Sequence, residues 1–169
     1  MQRAASSRFA DAIQCAITSW AGVPSGSSST SRRAASTKTW VLVPSVVRQT
    51  SSFRHWVTLD GSPGPTGDGG FAAEAGRYHL YVALICPWAS RTLIARRLKG
   101  LERAIGMTVV DPIRDERGWT FTDEADPHHG WTFLAEAYSI TDPAWCGRVT
   151  VPVLWDIEAG CIVNNESED

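Results

Sequence analysis

From Arg77 the chain settles into a regular alternation. Tyr78, Leu80, Val82 and Leu84 fall at every second position, with Tyr81 and Ala83 between them. This pattern predicts a strand buried on both faces, ending at Cys86-Pro87. Trp88 to Lys99 reads as a helix. Pro87 falls in its first turn, where a missing N–H is harmless, and Gly100 stops it. Ile94, Leu98 and Leu101 form its apolar stripe, while Arg91, Arg96, Arg97 and Lys99 face mostly outward. Met107 to Val110 predicts a second short strand, closed by Asp111-Pro112. A loop-rich stretch carrying Trp119, Phe121, Trp131 and Phe133 follows, then a short helix at Leu134 to Tyr138. Thr150 to Asp156 predicts a third strand and Cys161 to Val163 a fourth, joined as a hairpin through Glu158-Ala159-Gly160. Asn164-Asn165-Glu166-Ser167 predicts a helix start with Asn165 as its N-cap, two residues before the chain stops.

This order is the thioredoxin-like α/β topology, βαβαββ with the third helix truncated. The first two strands need a crossover helix and should be parallel, and the last pair antiparallel. Upstream, residues 53–76 carry Gly61, Pro63, Gly64, Pro65, Gly67, Gly69 and Gly70, a density that argues for a loop without helix or strand. Residues 1–52 are rich in Ser, Thr, Ala and Arg, and stretches such as Ser25 to Ser31 cannot bury enough apolar surface to order themselves. Three parts follow: a disordered segment at 1–52, a Gly/Pro-rich extension at 53–76, and an incomplete thioredoxin-like domain at 77–169.

Charge sharpens the division. Residues 1–52 hold six bases and the single acid Asp11, while 53–169 hold ten bases and seventeen acids. The basic, acid-poor segment fits an organellar transit peptide or a spurious upstream extension of the reading frame. The globular part has no basic excess to suggest nucleic acid, and no apolar run is long enough to span a bilayer. All eight Trp except Trp20 and Trp40 lie after residue 52, so the aromatic packing belongs to the globular part. The four cysteines, Cys15, Cys86, Cys146 and Cys161, form no Cys-x-x-Cys and no zinc spacing. They read as free thiols in a reducing compartment.

Position singles out Cys86. It sits where a strand hands over to a helix, where unpaired N–H groups and the macrodipole stabilise a thiolate, with Arg91 one turn inside. The alternative is a cysteine that only packs; Cys-Pro directly after a strand favours the reactive reading. Three residues on stands Ala89, so an internal disulfide is excluded and exchange must be with an external thiol, glutathione above all. Val151-Pro152 opens the third strand. An isolated X–Pro bond is usually trans, but in a thioredoxin fold this proline is cis and faces the thiol. The residue before it then offers backbone groups to an extended peptide. At the predicted helix start, the N–H groups and the Ser167 hydroxyl suit a carboxylate and Glu166 an ammonium, the two ends of a γ-glutamyl group. A plain capping pair would look the same. Adjacent His128-His129 lack the companions of a metal site, so no metal is expected. Cys146 and Cys161 read as small core or loop residues. Gly67-Asp68-Gly69-Gly70 lacks the helix and Lys of a phosphate loop, and Asp123-Glu124-Ala125-Asp126 reads as a solvated loop.

Seven segments in order carry a family resemblance: Gly76 to Val82, Cys86-Pro87-Trp88-Ala89, Arg91 to Ile94, Lys99 to Glu102, Gly118-Trp119-Thr120-Phe121, Gly147 to Asp156, and Ile162 to Ser167. Together they resemble the glutathionyl-hydroquinone reductases, the omega-like xi class of glutathione S-transferases, over about Phe53 to Glu168. The resemblance implies that Cys86 is the catalytic cysteine, passing through a mixed disulfide with glutathione that a second glutathione resolves. It implies that Trp119 is an aromatic contact to glutathione. Arg148, Val149, Thr150 and Val151 would pair with the tripeptide backbone, and Glu166 and Ser167 would hold its γ-glutamyl end. Implied partners are glutathione as co-substrate and quinone-derived small molecules, with no nucleic acid or membrane, and a homodimer in the full-length family.

Departures are visible. Ser90 stands where the family usually has His, and Trp145 where a Tyr is expected. The family continues into an all-helical domain with the hydroquinone pocket, tyrosines near the sulfur and the dimer contacts, which is expected to be missing here. An apolar sheet face should then be exposed. Three readings remain: a hydroquinone-releasing enzyme, a truncated non-catalytic fragment with a residual glutathione site, and a glutaredoxin-like monothiol reductase. The compartment is expected to be cytoplasmic, or plastid or mitochondrial if residues 1–52 are a transit peptide.

Overall fold

The computed structural model describes residues 50–65, 69–121 and 126–169. The readings of residues 1–49, of Gly67-Asp68 and of Asp123-Glu124-Ala125 lie outside the described residues. In chain order the elements are β1 (Trp56–Thr58), β2 (Gly70–Ala72), β3 (Tyr78–Val82), α1 (Pro87–Leu98), a 3-10 turn (Leu101–Arg103), β4 (Ile105–Val109), α2 (Ala135–Thr141), β5 (Val153–Asp156) and β6 (Cys161–Asn164). Four of them form a mixed sheet in the order β4-β3-β5-β6. β3 and β4 are parallel, with Leu80 opposite Met107. β5 runs antiparallel to β3, with Tyr81 opposite Val153, and β6 antiparallel to β5. The helix α1 makes the crossover that the parallel pair requires. The fold is thioredoxin-like, as the element order predicts.

The central strand β3 is buried at every residue. Alternation sends Tyr81 and Ala83 to one face and Leu80 and Val82 to the other. On the first face Tyr81, Val153, Trp155 and Ile162 pack with Leu134, Ala137 and Tyr138 of the α2 region. On the second, Leu80 and Val82 meet Ala89 of α1, flanked by Leu93 and Leu154. Each aliphatic side chain removed fully from water, such as Val153, contributes about 1.5–3 kcal/mol.

Several expectations are corrected. The buried face of α1 is not the Ile94–Leu98 stripe: these residues are 58% and 80% exposed, and Ala89 is the buried residue of the helix. Ala89 and Leu93 lie one row around from Ile94, since one residue turns the helix by about 100°. Arg96 completes that row, donating to the carbonyls of Ile105 (2.9 Å) and Glu102 (3.1 Å). Leu84 falls past the end of β3 and is exposed. Gly100 does close the helix, at φ +66°. Strand is present in the Gly/Pro-dense stretch, where β1 and β2 pair in parallel with Trp56 opposite Gly70. Glycine makes this pairing feasible: a Cβ on Gly70 would lie 2.0 Å from the Ser62 carbonyl oxygen. Just upstream, His55 N–H donates to Val163 and Asn165 N–H to Phe53, both at 3.0 Å, so this segment covers the edge of β6.

The third strand begins at Val153 rather than Thr150. No helix starts at Asn164 to Ser167 among the described residues. Asn165 is buried and caps nothing; Asn164 Oδ1 accepts the Glu166 N–H at 2.6 Å instead. Asp126, read as part of a solvated loop, is 3% exposed. It accepts the Tyr81 hydroxyl and, at 2.5 Å, the His129 N–H. On the α1 side of β4, Met107 and Val109 stay partly exposed, at 37% and 40%.

Candidate active site

Cys86 holds the N-cap position of α1 in an extended conformation, followed by Pro87 at the helix start. Its N–H donates to Ala83 at 3.0 Å, and its carbonyl accepts the Ser90 N–H at 3.1 Å and the Ser90 hydroxyl at 3.3 Å. These bonds lock the backbone on both sides of the sulfur. The half-buried side chain turns toward the β5 approach, where the Cys86 thiol donates to the Val151 carbonyl at 3.6 Å. The Val151-Pro152 bond is cis, as the topology implied. Arg91, expected to add to the field at the sulfur, is paired with Glu168 at 3.0 Å in an exposed ion pair. Its charge is therefore largely offset and screened.

Cys86, Trp119 and Trp145 all pack against the cluster that contains Val149 and Val151. The thiol and the aromatic residue thus border the same core cluster, and the thiol is in direct contact with the proline-led segment. The Trp119 carbonyl accepts the Leu134 N–H at 3.0 Å, and the Arg114 guanidinium lies 5.9 Å over the Trp119 ring. Burial, followed by the Arg148 charge, lowers the pKa of Arg114, so two cations stand near one another here. Trp119 Nε1 is buried with no hydrogen-bond partner among the described residues, and so is Ser167 Oγ. His55 Nδ1, Trp145 Nε1 and Trp155 Nε1 share this state.

Glu166 receives a hydrogen bond from Ser51 at 3.0 Å. Asn165 joins this segment to Thr150 through its side-chain amide, which donates to Thr150 Oγ1 at 3.3 Å and to the Tyr138 hydroxyl at 3.2 Å. The structure therefore joins Cys86 to Val151, buries Val149 and Val151 in the cluster that Trp119 borders, and ties the Glu166-Ser167 segment to Thr150 through Asn165. Arg148 is exposed beside them.

Tyr138 and Arg114 are polar members of this neighbourhood that the sequence did not single out, and Asn165 is one that it read as a helix cap. Tyr138 reads there as the last residue of a short helix; the two Arg are separated by more than thirty residues of loop-rich chain. Cys161 lies at the β5–β6 turn, its thiol pushed up by burial and then by Asp156, and Cys146 is exposed. His128 Nε2 and His79 Nδ1 lie 2.9 Å apart. His129 stacks on Trp131 at 4.3 Å.

A thiol at a helix start, held against the cis-proline segment that leads a strand of this mixed sheet, defines a thioredoxin-like class of domain. Residues 85–169 match the family described as "Glutathione S-transferase, N-terminal domain", and the chain belongs to that family. Glutathionyl-hydroquinone reductase YqjG of Escherichia coli (strain K12) is 56% identical over 127 residues, which cover 72% of this chain and 39% of the relative. Glutathionyl-hydroquinone reductase PcpF of Sphingobium chlorophenolicum is 47% identical over 106 residues, covering 60% of this chain and 34% of the relative. The glutathione-bound structure of the Escherichia coli protein superposes with a TM-score of 0.67 at 56% identity, over 69% of this chain and 39% of that one. The chain thus spans about two fifths of the length of these relatives.

Proposed function

We propose that this chain is the glutathione-binding part of a glutathionyl-hydroquinone reductase, with Cys86 as its nucleophile. The observation that carries the reading is the Cys86 sulfur 3.6 Å from the Val151 carbonyl, beside the segment that a tripeptide would extend. The similarity to two named glutathionyl-hydroquinone reductases supports it. In the proposed reaction the Cys86 thiolate attacks the glutathionyl sulfur of a glutathionyl-hydroquinone. The sulfur–carbon bond breaks, its electron pair stays on carbon, and a proton completes the free hydroquinone. Cys86 is left in a mixed disulfide with glutathione. A second glutathione attacks that disulfide, restores the Cys86 thiolate and departs as oxidised glutathione. The proton lost by this glutathione balances the one gained by the hydroquinone.

Around that chemistry, Trp119 packs on the tripeptide. Arg148, Val149, Thr150 and Val151 line the backbone of the tripeptide, and Glu166 and Ser167 take the γ-glutamyl ammonium and carboxylate. The hydroquinone pocket and a homodimer are assigned to the full-length protein, and the compartment to a reducing one, the cytoplasm or an organelle reached through residues 1–52. The test is Cys86→Ser in an assay following hydroquinone release together with oxidised glutathione. Loss of both products, and of the glutathione adduct in intact-protein mass spectrometry, is expected. Turnover retained by Cys86→Ser refutes the mechanism.

A second reading, a glutaredoxin-like monothiol reductase, draws on the fully buried Ala89 at the position where a resolving cysteine would stand. Turnover of glutathionylated peptides with no release of hydroquinone favours it over the first.

A further inference from the structure

We propose that Tyr138 is a positioning residue that locks the two halves of the glutathione site to each other through one buried oxygen. This rests on the glutathione reading above. Tyr138 lies on α2 and is wholly buried. Its hydroxyl donates to the Thr150 carbonyl at 2.9 Å. It accepts the Thr150 N–H at 3.2 Å and the Asn165 side-chain N–H at 3.2 Å. Thr150 Oγ1 lies 3.1 Å from the same hydroxyl and also accepts from Asn165 at 3.3 Å. Asn165 Oδ1 in turn accepts the Phe53 N–H at 3.3 Å.

The neighbours of this hub decide its meaning. Thr150 directly precedes Val151, whose carbonyl faces the Cys86 thiol. Asn165 directly precedes Glu166 and Ser167. Two segments that would grip opposite parts of one tripeptide thus meet on a single side chain from a third element. A ligand bridging both segments needs their spacing held before it arrives, because ordering them on binding would weaken affinity. Nothing places the Tyr138 hydroxyl against the Cys86 sulfur, so its role is alignment and not chemistry.

Tyr138→Phe isolates that role. The ring still packs edge-on to Phe53 at 5.7 Å and against Trp145 at 5.3 Å. What is lost is the oxygen, and with it partners for the Thr150 N–H and the Asn165 amide. The experiment uses the full chain, with thermal melting to establish that each variant is folded. Glutathione affinity is read by calorimetry, and Cys86 reactivity by its modification rate with a small aromatic disulfide that needs no tripeptide grip. Tyr138→Phe is expected to bind glutathione about tenfold more weakly, the scale of one or two lost hydrogen bonds. Its Cys86 rate should stay within about twofold of the parent, since the helix-start geometry is unchanged.

Asn165→Ala is a second variant, which keeps Tyr138 and Thr150 but removes the amide that joins them to the Glu166 segment. It should weaken glutathione in the same direction, and it carries the test if Tyr138→Phe does not fold. Parental affinity in the folded variant overturns the positioning role. So does an equal fall in Cys86 reactivity, which marks a general structural loss. A parent chain that binds no glutathione in the same assay refutes the proposed function and the inference together. A binding parent matched by Tyr138→Phe refutes the inference alone.

Discussion

Replacing Tyr81 by Phe tests whether the fold depends on a buried hydroxyl–carboxylate bond. Tyr81 is fully buried at the centre of the sheet, and its hydroxyl donates to Asp126, itself 3% exposed. Burial, then that bond, push the phenol well above its ordinary pKa, so it stays a donor throughout the accessible pH range. Phenylalanine keeps the ring against Phe121 at 5.7 Å and Trp131 at 6.1 Å. The loss is therefore the bond alone. Hydrogen bonds to charged groups contribute about 1.5–3 kcal/mol net. Asp126 would retain the His129 N–H at 2.5 Å on its other oxygen. That remaining partner, and water entering beside the exposed residues 127–130, offset part of the cost. The expected destabilisation is about 2 kcal/mol. Urea unfolding followed by tryptophan fluorescence measures it, because Trp131 and Trp155 sit in the same cluster. An unchanged slope with a lower midpoint is the expected form of the result. A loss below about 0.5 kcal/mol, the scale of a neutral surface substitution, refutes the reasoning.

Further outcomes follow from other parts of the structure. Burial, then the neighbouring His128, lower the His79 pKa to about 4. The unfolded chain therefore takes up a proton that the folded protein refuses, between about 6.5 and the folded value. Stability is full above that window and falls as pH drops through it; urea midpoints at successive pH values should show the slope. His79→Gln should flatten it, and equal slopes in parent and variant would contradict the assignment. Gly100→Ala places a side chain at φ +66° with nothing within 4 Å to crowd it. Its cost is thus conformational alone, about 1–2 kcal/mol, to be read from the melting temperature. A variant as stable as the parent would show that the α1 terminus does not need the left-handed residue.

Much of this protein was legible along the chain. Period-two alternation located β3, the Cys86-Pro87 junction located the start of α1, and the β5–β6 hairpin followed from its turn. These features are local, so sequence carries them. The Cys86–Val151 juxtaposition was also within reach, because the thioredoxin-like element order brings those two places together. What the chain did not display were properties set by neighbours. Ala89 and Leu93, not the more apolar-looking Ile94 and Leu98, face the sheet, since the rotation of a helix about its axis is decided by what it packs against. The β1–β2 pair depends on Gly70 lying against the Ser62 backbone, a contact between residues whose composition argues for loop.

The sequence by itself determined the order of the four sheet strands and the helix after the first of them, and the position of the thiol at that helix start. Only the tertiary structure decided how the segments around that thiol are held. Asn165 looked like a cap, Asp126 like a solvated acid and Tyr138 like the last residue of a short helix. Each is instead a buried hydrogen-bonding centre. The physical reason is that a buried polar group acquires its role from partners far along the chain, here 12 residues for Tyr138–Thr150, 27 for Tyr138–Asn165 and 45 for Tyr81–Asp126. Such pairings leave no periodic trace in a sequence.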